Sequence, residues 1–259
     1  MRFFSRLLAF LFISVFLFIP LSAFSEDAFP YRSDYADVKV MELSDLLKEY
    51  EDVLIVDVRS SLEFDVIHMT RAMHVPMSTQ GFENEVKDLH SEGVKVVAYC
   101  NGHTCKKSYK AVRRLMKAGI NEVYAFDAGI FDWAKANPDK TVLMGESPVE
   151  SSKLIPGFEL KKHFLDSYGF FKQAKSKGDE ALLIDVRDNF QIAGTERLKD
   201  ARAVPFDRFQ KWLEAGNGKN KTIFVVDAVG KQVRWLQYYL IKYGYTNYFF
   251  LEGGVASLK

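Results

Sequence analysis

The chain reads as an α/β protein built from two tandem copies of one unit, each a small parallel sheet flanked by helices. Three observations predict this. Two apolar runs, Val53 to Arg59 and Ala181 to Arg187, both close on Asp-Val-Arg, as buried parallel strands do where they meet a C-terminal loop. Matching landmarks recur at a nearly constant shift of 128 residues from Asp57 to Asp185, 129 from Pro76 to Pro205 and 125 from Gly129 to Gly254, which marks a duplication. Strand-like runs alternate with helix-periodic stretches in both halves, the pattern of a parallel sheet covered by helices.

Residues 1–25 are expected to be a signal peptide rather than fold. Arg2 and Arg6 give a positive start, Leu7 to Leu21 is apolar apart from Ser14 and Pro20, and Ala23 and Ser25 set small residues before a cut. A run of 15 residues falls short of the ~20 that a membrane-spanning helix needs. Cleavage would remove two positive charges and leave 33 basic against 34 acidic groups. The expectation is an exported protein with no membrane attachment after cleavage, periplasmic in a double-membraned host. The near-balance of charge offers no basic surface for nucleic acid.

In the first copy, 35–137, the next strand is Val94 to Tyr99, followed by a helix from about Lys106. That helix carries Ala111, Leu115 and Ala118 on one stripe with Val112 and Met116 beside it. Gly119 closes it, and Glu122 to Phe126 forms a third strand. Residues 138–157 hold Pro138, Gly145, Pro148, Ser151, Ser152, Pro156 and Gly157, the composition of a linker. The second copy, 158–259, repeats the order with strands Lys221 to Val226 and Tyr248 to Leu251. Between them lies a helix striped by Val233, Leu236, Leu240 and Tyr243 and closed by Gly244.

The chemistry concentrates in Cys100-Asn101-Gly102-His103-Thr104-Cys105, between a strand end and a helix start, where open α/β sheets place ligands. Backbone N–H groups and the helix N-terminus converge there and favour negative charge. A free thiol has a pKa of roughly 8.5, and such a setting lowers it. Cys100 is therefore expected to be a reactive thiolate, with Lys106, Lys107 and His103 able to assist. Cys105 reads either as a resolving thiol or as a packing residue, and His103 either as a functional contact or as a solvent-exposed side chain. Asp57 and Arg59 recur in the copy without cysteine, so a structural role is expected for them, as it is for His68 and His74. Two cysteines and one histidine in one loop leave a zinc site short of a ligand, and no glycine fingerprint for a nucleotide is present, so neither metal nor cofactor is expected.

These residues resemble the rhodanese-like sulfurtransferase family. The resemblance rests on Asp57-Val58-Arg59, Glu63-Phe64, His68, Ala72, His74-Val75-Pro76, Tyr99-Cys100 and Asp127-Ala128-Gly129, with a Cys-x-Gly-x-x-Cys loop followed by Ser108. It departs at Ile67 and Arg71, where the family usually has glycine. The resemblance implies that Cys100 takes a sulfane sulfur from a small donor, holds it as a persulfide and yields it to a thiol or cyanide-like acceptor. The loop Asn101 to Lys106 would bind the substrate. In the second copy Asp227 stands where Cys100 would, and a carboxylate forms no persulfide, so that half is expected to be scaffold or a surface for a protein partner. Two other functions fit the residues: a non-catalytic binding module of this fold, or a Cys100–Cys105 thiol–disulfide redox protein.

Overall fold

The structure, a computed structural model, describes residues 29–192 and 198–258. The expected signal segment lies outside them. Among the described residues no helix is long and apolar enough to cross a membrane. Strands in chain order are β1 (Leu54–Asp57), β2 (Ile67–Met69), β3 (Met73–His74), β4 (Val96–Tyr99), β5 (Val123–Phe126), β6 (Thr141–Leu143), β7 (Phe164–Leu165), β8 (Ala181–Asp185), β9 (Arg202–Ala203), β10 (Thr222–Val226) and β11 (Tyr248–Leu251).

The first sheet is parallel in the order β3-β1-β4-β5, with a single bridge from Val40 to Ala125 at its edge. The second is parallel in the order β9-β8-β10-β11-β7, the same path with that bridge grown into a strand. Registers agree as well: Asp57 lies opposite Tyr99, and Asp185 opposite Val226. The duplication read from sequence is thus a duplication of topology. Every residue of β4 and β10 is buried, as strands covered on both faces must be.

Two details depart from expectation. The stretch read as linker contains β6, which pairs antiparallel with β2, Ile67 opposite Leu143, so the first unit reaches past residue 137. Pairing between residues so far apart leaves no local trace in composition. Met116, placed beside the buried stripe, is exposed, while Ala111, Val112 and Leu115 are buried.

The two units stack front to back. In β4, Val97 and Tyr99 face a core shared with the second unit, whereas Val96 and Ala98 face the core under helix Lys107–Lys117. In β10 the equivalent faces are exchanged, so the helix Val233–Lys242 that follows it is sandwiched between the units. Composition records the difference. The first helix, Lys-Ser-Tyr-Lys-Ala-Val-Arg-Arg-Leu-Met-Lys, wets one side with cations, whereas the second buries Val233, Trp235, Leu236, Gln237, Tyr238, Tyr239 and Leu240. Its sequence stripe therefore understated its burial. Trp235 stacks on Phe131 at 5.7 Å and lies under the Arg59 guanidinium at 5.8 Å, joining the units. Trp235→Ala should cost about 3–5 kcal/mol in urea unfolding followed by circular dichroism; a loss well below that range would mean the two units do not support one another.

Candidate functional site

Alternation along β4 decides where Cys100 goes. Successive side chains of a strand point to opposite faces, so Cys100 continues the series Val96, Ala98 into the core beneath the helix. It is fully buried beside Val56, Val58, Val75, Tyr109 and Val112. Its Sγ lies 3.4 Å from the Cys105 carbonyl oxygen and 3.6 Å from Ser108 Oγ. Burial pushes this thiol well above its ordinary pKa, and the neighbouring Cys105 pushes the same way. The Gly102 N–H and the Ser108 hydroxyl act the other way and favour the charged form, while burial disfavours it.

Cys105 has the setting expected of Cys100. It is half-buried in the turn before helix Lys107–Lys117, and both cysteines are free thiols. A hydrogen bond from the Cys100 thiol is the largest influence on it. Burial opposes ionisation, while the N–H groups of Lys107 and Asn101 and the Lys107 charge favour it. The outcome is a pKa of about 6. The helix has no acid in its first turn, so the positive end of its dipole faces this sulfur uncompensated.

The loop is clamped from below. The Cys105 N–H donates to the Gly102 carbonyl at 2.7 Å, closing the turn. Gly129, at φ +69°, lies so close that a Cβ there would come within 2.3 Å of the Gly102 nitrogen. Only a residue without a side chain permits that approach. Asn101 is held on both ends: its Oδ1 accepts from Arg59 Nη1 at 3.1 Å, and its Nδ2 donates to Glu63 Oε1 at 2.6 Å.

Glu63 is the site residue that sequence reasoning did not single out for a role. Its Oε2 accepts from the Ser60 N–H and hydroxyl and from Lys107 Nζ at 3.2 Å. Only 7% of the residue is exposed, and burial alone would raise its pKa. The Lys107 charge, the Ser60 N–H, Asn101 and Arg59 outweigh that and bring it to about 2. The available signal was the Ser60-x-x-Glu63 spacing of a capping box, which the structure contains.

The remaining loop residues divide. His103 Nε2 lies 2.7 Å from Asp132 Oδ2, and its ring stacks on Phe29 at 4.3 Å. Thr104 is exposed. Lys106, expected to assist the thiol, instead pairs with Asp34 at 3.2 Å and lies over the Tyr31 ring; Lys107 is the cation that reaches the site. Asp57 and Arg59 form a fully buried ion pair, and Asp185 and Arg187 form its buried counterpart. His68 bonds the Phe64 carbonyl and His74 the Arg59 carbonyl, both stacked on Phe64. These contacts fasten the loops at the strand ends. Among the described residues no group of three or more His, Cys, Asp or Glu is placed to hold a metal ion.

In the second unit Asp227 continues β10 into the interior, as Cys100 continues β4. Its carboxylate accepts from the N–H groups of Gly230, Gln232 at 2.7 Å and Val233. Burial raises its pKa against those bonds. The position matching Cys105 is Gln232, so neither thiol has a counterpart.

The family model for the rhodanese-like domain matches this chain twice, at residues 40–136 and 169–259. Among curated proteins, it is 34% identical over 89 residues to the tRNA uridine(34) hydroxylase of Cytophaga hutchinsonii, a match covering 34% of this chain and 28% of that protein. It is 30% identical over 94 residues to the probable adenylyltransferase/sulfurtransferase MoeZ of Mycobacterium tuberculosis, covering 36% and 23% respectively. The match thus spans about a quarter of each of these relatives. A crystal structure of thiosulfate sulfurtransferase from Pseudomonas aeruginosa aligns with 89% of this chain and 46% of its own, at 18% identity and a TM-score of 0.38. The BH2092 protein from Bacillus halodurans aligns with 51% of this chain and 96% of its own, at 20% identity and a TM-score of 0.38.

Because folding holds the Glu63 carboxyl near 2 rather than near its ordinary 4.5, its stabilisation is complete above pH 4.5 and is lost as pH falls toward 2. Glu63→Gln should cost about 3 kcal/mol at neutral pH. In chemical denaturation at a series of pH values, the gap from wild type should close toward acid; a gap independent of pH would show that the charge is not what matters.

Proposed function

The chain belongs to the rhodanese-like family of sulfurtransferases, and from that premise we propose that it is an exported sulfur carrier whose working thiolate is Cys105. The observation that carries this reading is a half-buried sulfur at a helix N-terminus, receiving N–H groups from Asn101 and Lys107 that, with the hydrogen bond from Cys100, lower its pKa. Such a setting raises the thiolate share above the few per cent of a free cysteine at neutral pH.

The reaction follows from that charge. The Cys105 thiolate attacks the sulfane sulfur of a small donor such as thiosulfate, forming Cys105–S–S⁻ and expelling sulfite. The persulfide anion rests against the same N–H groups and the Lys107 ammonium, an environment preorganised for negative charge. A thiol or cyanide-like nucleophile then removes the outer sulfur and regenerates the thiolate. Cys100 supports this as a neutral hydrogen-bond donor beneath Cys105, and Asn101, Glu63 and Arg59 fix the loop that supplies the N–H groups. The second unit takes no part in the chemistry. Its Trp235 backs Arg59, and its exposed surface is available to a protein partner.

Alkylation by iodoacetamide, followed by peptide mass spectrometry, should label Cys105 with a midpoint near pH 6 and leave Cys100 unlabelled in the folded protein. After exposure to thiosulfate, the Cys105 peptide should gain the mass of one sulfur atom, and Cys105→Ser should gain none. Loading of Cys100 in that variant would overturn the assignment.

Export rests on the charged start, apolar run and small residues of 1–25. In a double-membraned host the mature protein would be recovered from the periplasm beginning at Glu26. Edman sequencing of the native protein checks this; an intact Met1 would refute cleavage.

A further inference from the structure

Among the buried residues of helix Val233–Lys242, Gln237 alone carries an amide, and only 2% of it is exposed. Its Nε2 donates to the Tyr248 hydroxyl at 3.1 Å, while its Oε1 has no hydrogen-bond partner among the described residues. A buried carbonyl left unpaired is destabilising, so an amide kept in that state needs a reason. Gln237 borders a cavity of about 500 Å³ at the joint between the units. Leu143, Met144, Leu154, Ile155, Pro156 and Ile241 form its apolar wall. Gln237 and Tyr238 lie four and three residues before Ile241, so all three share one face of the helix.

The polar groups of the interior are neutral. Tyr238 and Tyr248 both line the cavity. The Tyr238 hydroxyl accepts from the Ile155 N–H at 3.2 Å, and the Tyr248 hydroxyl accepts from Gln237. Burial pushes both phenols above their ordinary pKa, so each keeps a hydrogen, and neither hydrogen has an acceptor among the described residues. At the rim two acids, Glu146 and Glu159, are matched by two lysines, Lys153 and Lys242. Each acid is already paired, Glu146 with Lys153 and Glu159 with Lys162. An apolar chamber of this size with a few convergent polar groups is the usual form of a small-molecule site.

We propose that this cavity binds a neutral, mainly apolar small molecule carrying an amide or lactam. The ligand's N–H donates to Gln237 Oε1, and its carbonyl accepts the hydrogen of Tyr248 or Tyr238. A carboxylate would set acceptor against acceptor at Gln237 and would lose its hydration with no buried cation to meet it. A plain hydrocarbon would leave Gln237 unpaired. The occupant bridges the units, since Leu143 belongs to β6 and Gln237 and Tyr248 belong to the second unit. The site is separate from the sulfur chemistry: no lining residue belongs to the cysteine loop or to the groups that clamp it.

The test titrates three probes into the full mature chain: 3-phenylpropanamide, its N,N-dimethyl derivative, which has no donor, and 3-phenylpropanoate. Binding is read by saturation-transfer NMR and located by amide shifts in two-dimensional spectra. The amide should bind with a Kd on the order of 1 mM, as expected for a ligand of so few atoms, and should move signals within 143–163 and 237–248. The dimethyl amide should bind about tenfold more weakly, and the carboxylate should give no detectable signal. Gln237→Leu should weaken the amide about tenfold and erase its advantage over the dimethyl amide. Ile241→Trp, at a wall residue that is 52% exposed, should block the amide while leaving the circular dichroism spectrum of wild type. Absence of amide binding to wild type would overturn the proposal. So would equal affinities for the amide and its dimethyl derivative, a result read on wild type alone and therefore independent of whether Gln237→Leu folds. Undiminished binding to Ile241→Trp would do so as well, by placing the probe elsewhere.

Discussion

The Arg59 guanidinium is buried completely, and its charge is met by Asp57 two residues earlier, the two bonded through both carboxylate oxygens. Two charges removed from water cost several kcal/mol each unless every donor is satisfied. Here the remaining donors reach the Ile67 carbonyl and Asn101, and the Trp235 ring covers the face. The pair therefore ties the end of β1, the start of β2, the cysteine loop and the second unit to a single point. The second unit repeats the pair as Asp185 and Arg187 without the cysteines, so its first duty is to hold strand ends and loop together.

Front-to-back stacking explains how one fold in duplicate yields two different surfaces. Helix Lys107–Lys117 keeps a cationic outer side and has no acid in its first turn. Its counterpart Val233–Lys242 is enclosed between the units and has become apolar around most of its girth. Its N-terminal cradle is filled from within by the Asp227 carboxylate, which takes the N–H groups an anion would otherwise use. One copy directs N–H groups at a cysteine sulfur; the other directs them at the Asp227 carboxyl.

The two cysteines show how strongly depth governs thiol chemistry. Five residues apart in one loop, they are driven in opposite directions, Cys100 upward by burial and Cys105 down to about 6 by the hydrogen bond from Cys100 and the surrounding N–H groups. Each depends on the other, because the proton retained by the buried sulfur stabilises the charge on the exposed one.

Much of the architecture was legible in the residues because its causes are local. Apolar runs, turn glycines and a constant shift between copies are read directly, and they identified the central strands of both sheets, one helix in each copy and the cysteine loop. The depth of Cys100 was present there too: counting from Val96 in steps of two sends it inward. The rest was not available along the chain. Glu63 lies far in sequence from Asn101 and Lys107 and meets them only after folding. The antiparallel pairing of 67–69 with 141–143 and the face on which the second unit docks are likewise contacts at a distance. Residue types and their periodicity follow from the sequence alone; a thiol's charge depends on the solvent, dipoles and ions gathered around it, and only the tertiary structure assembles those.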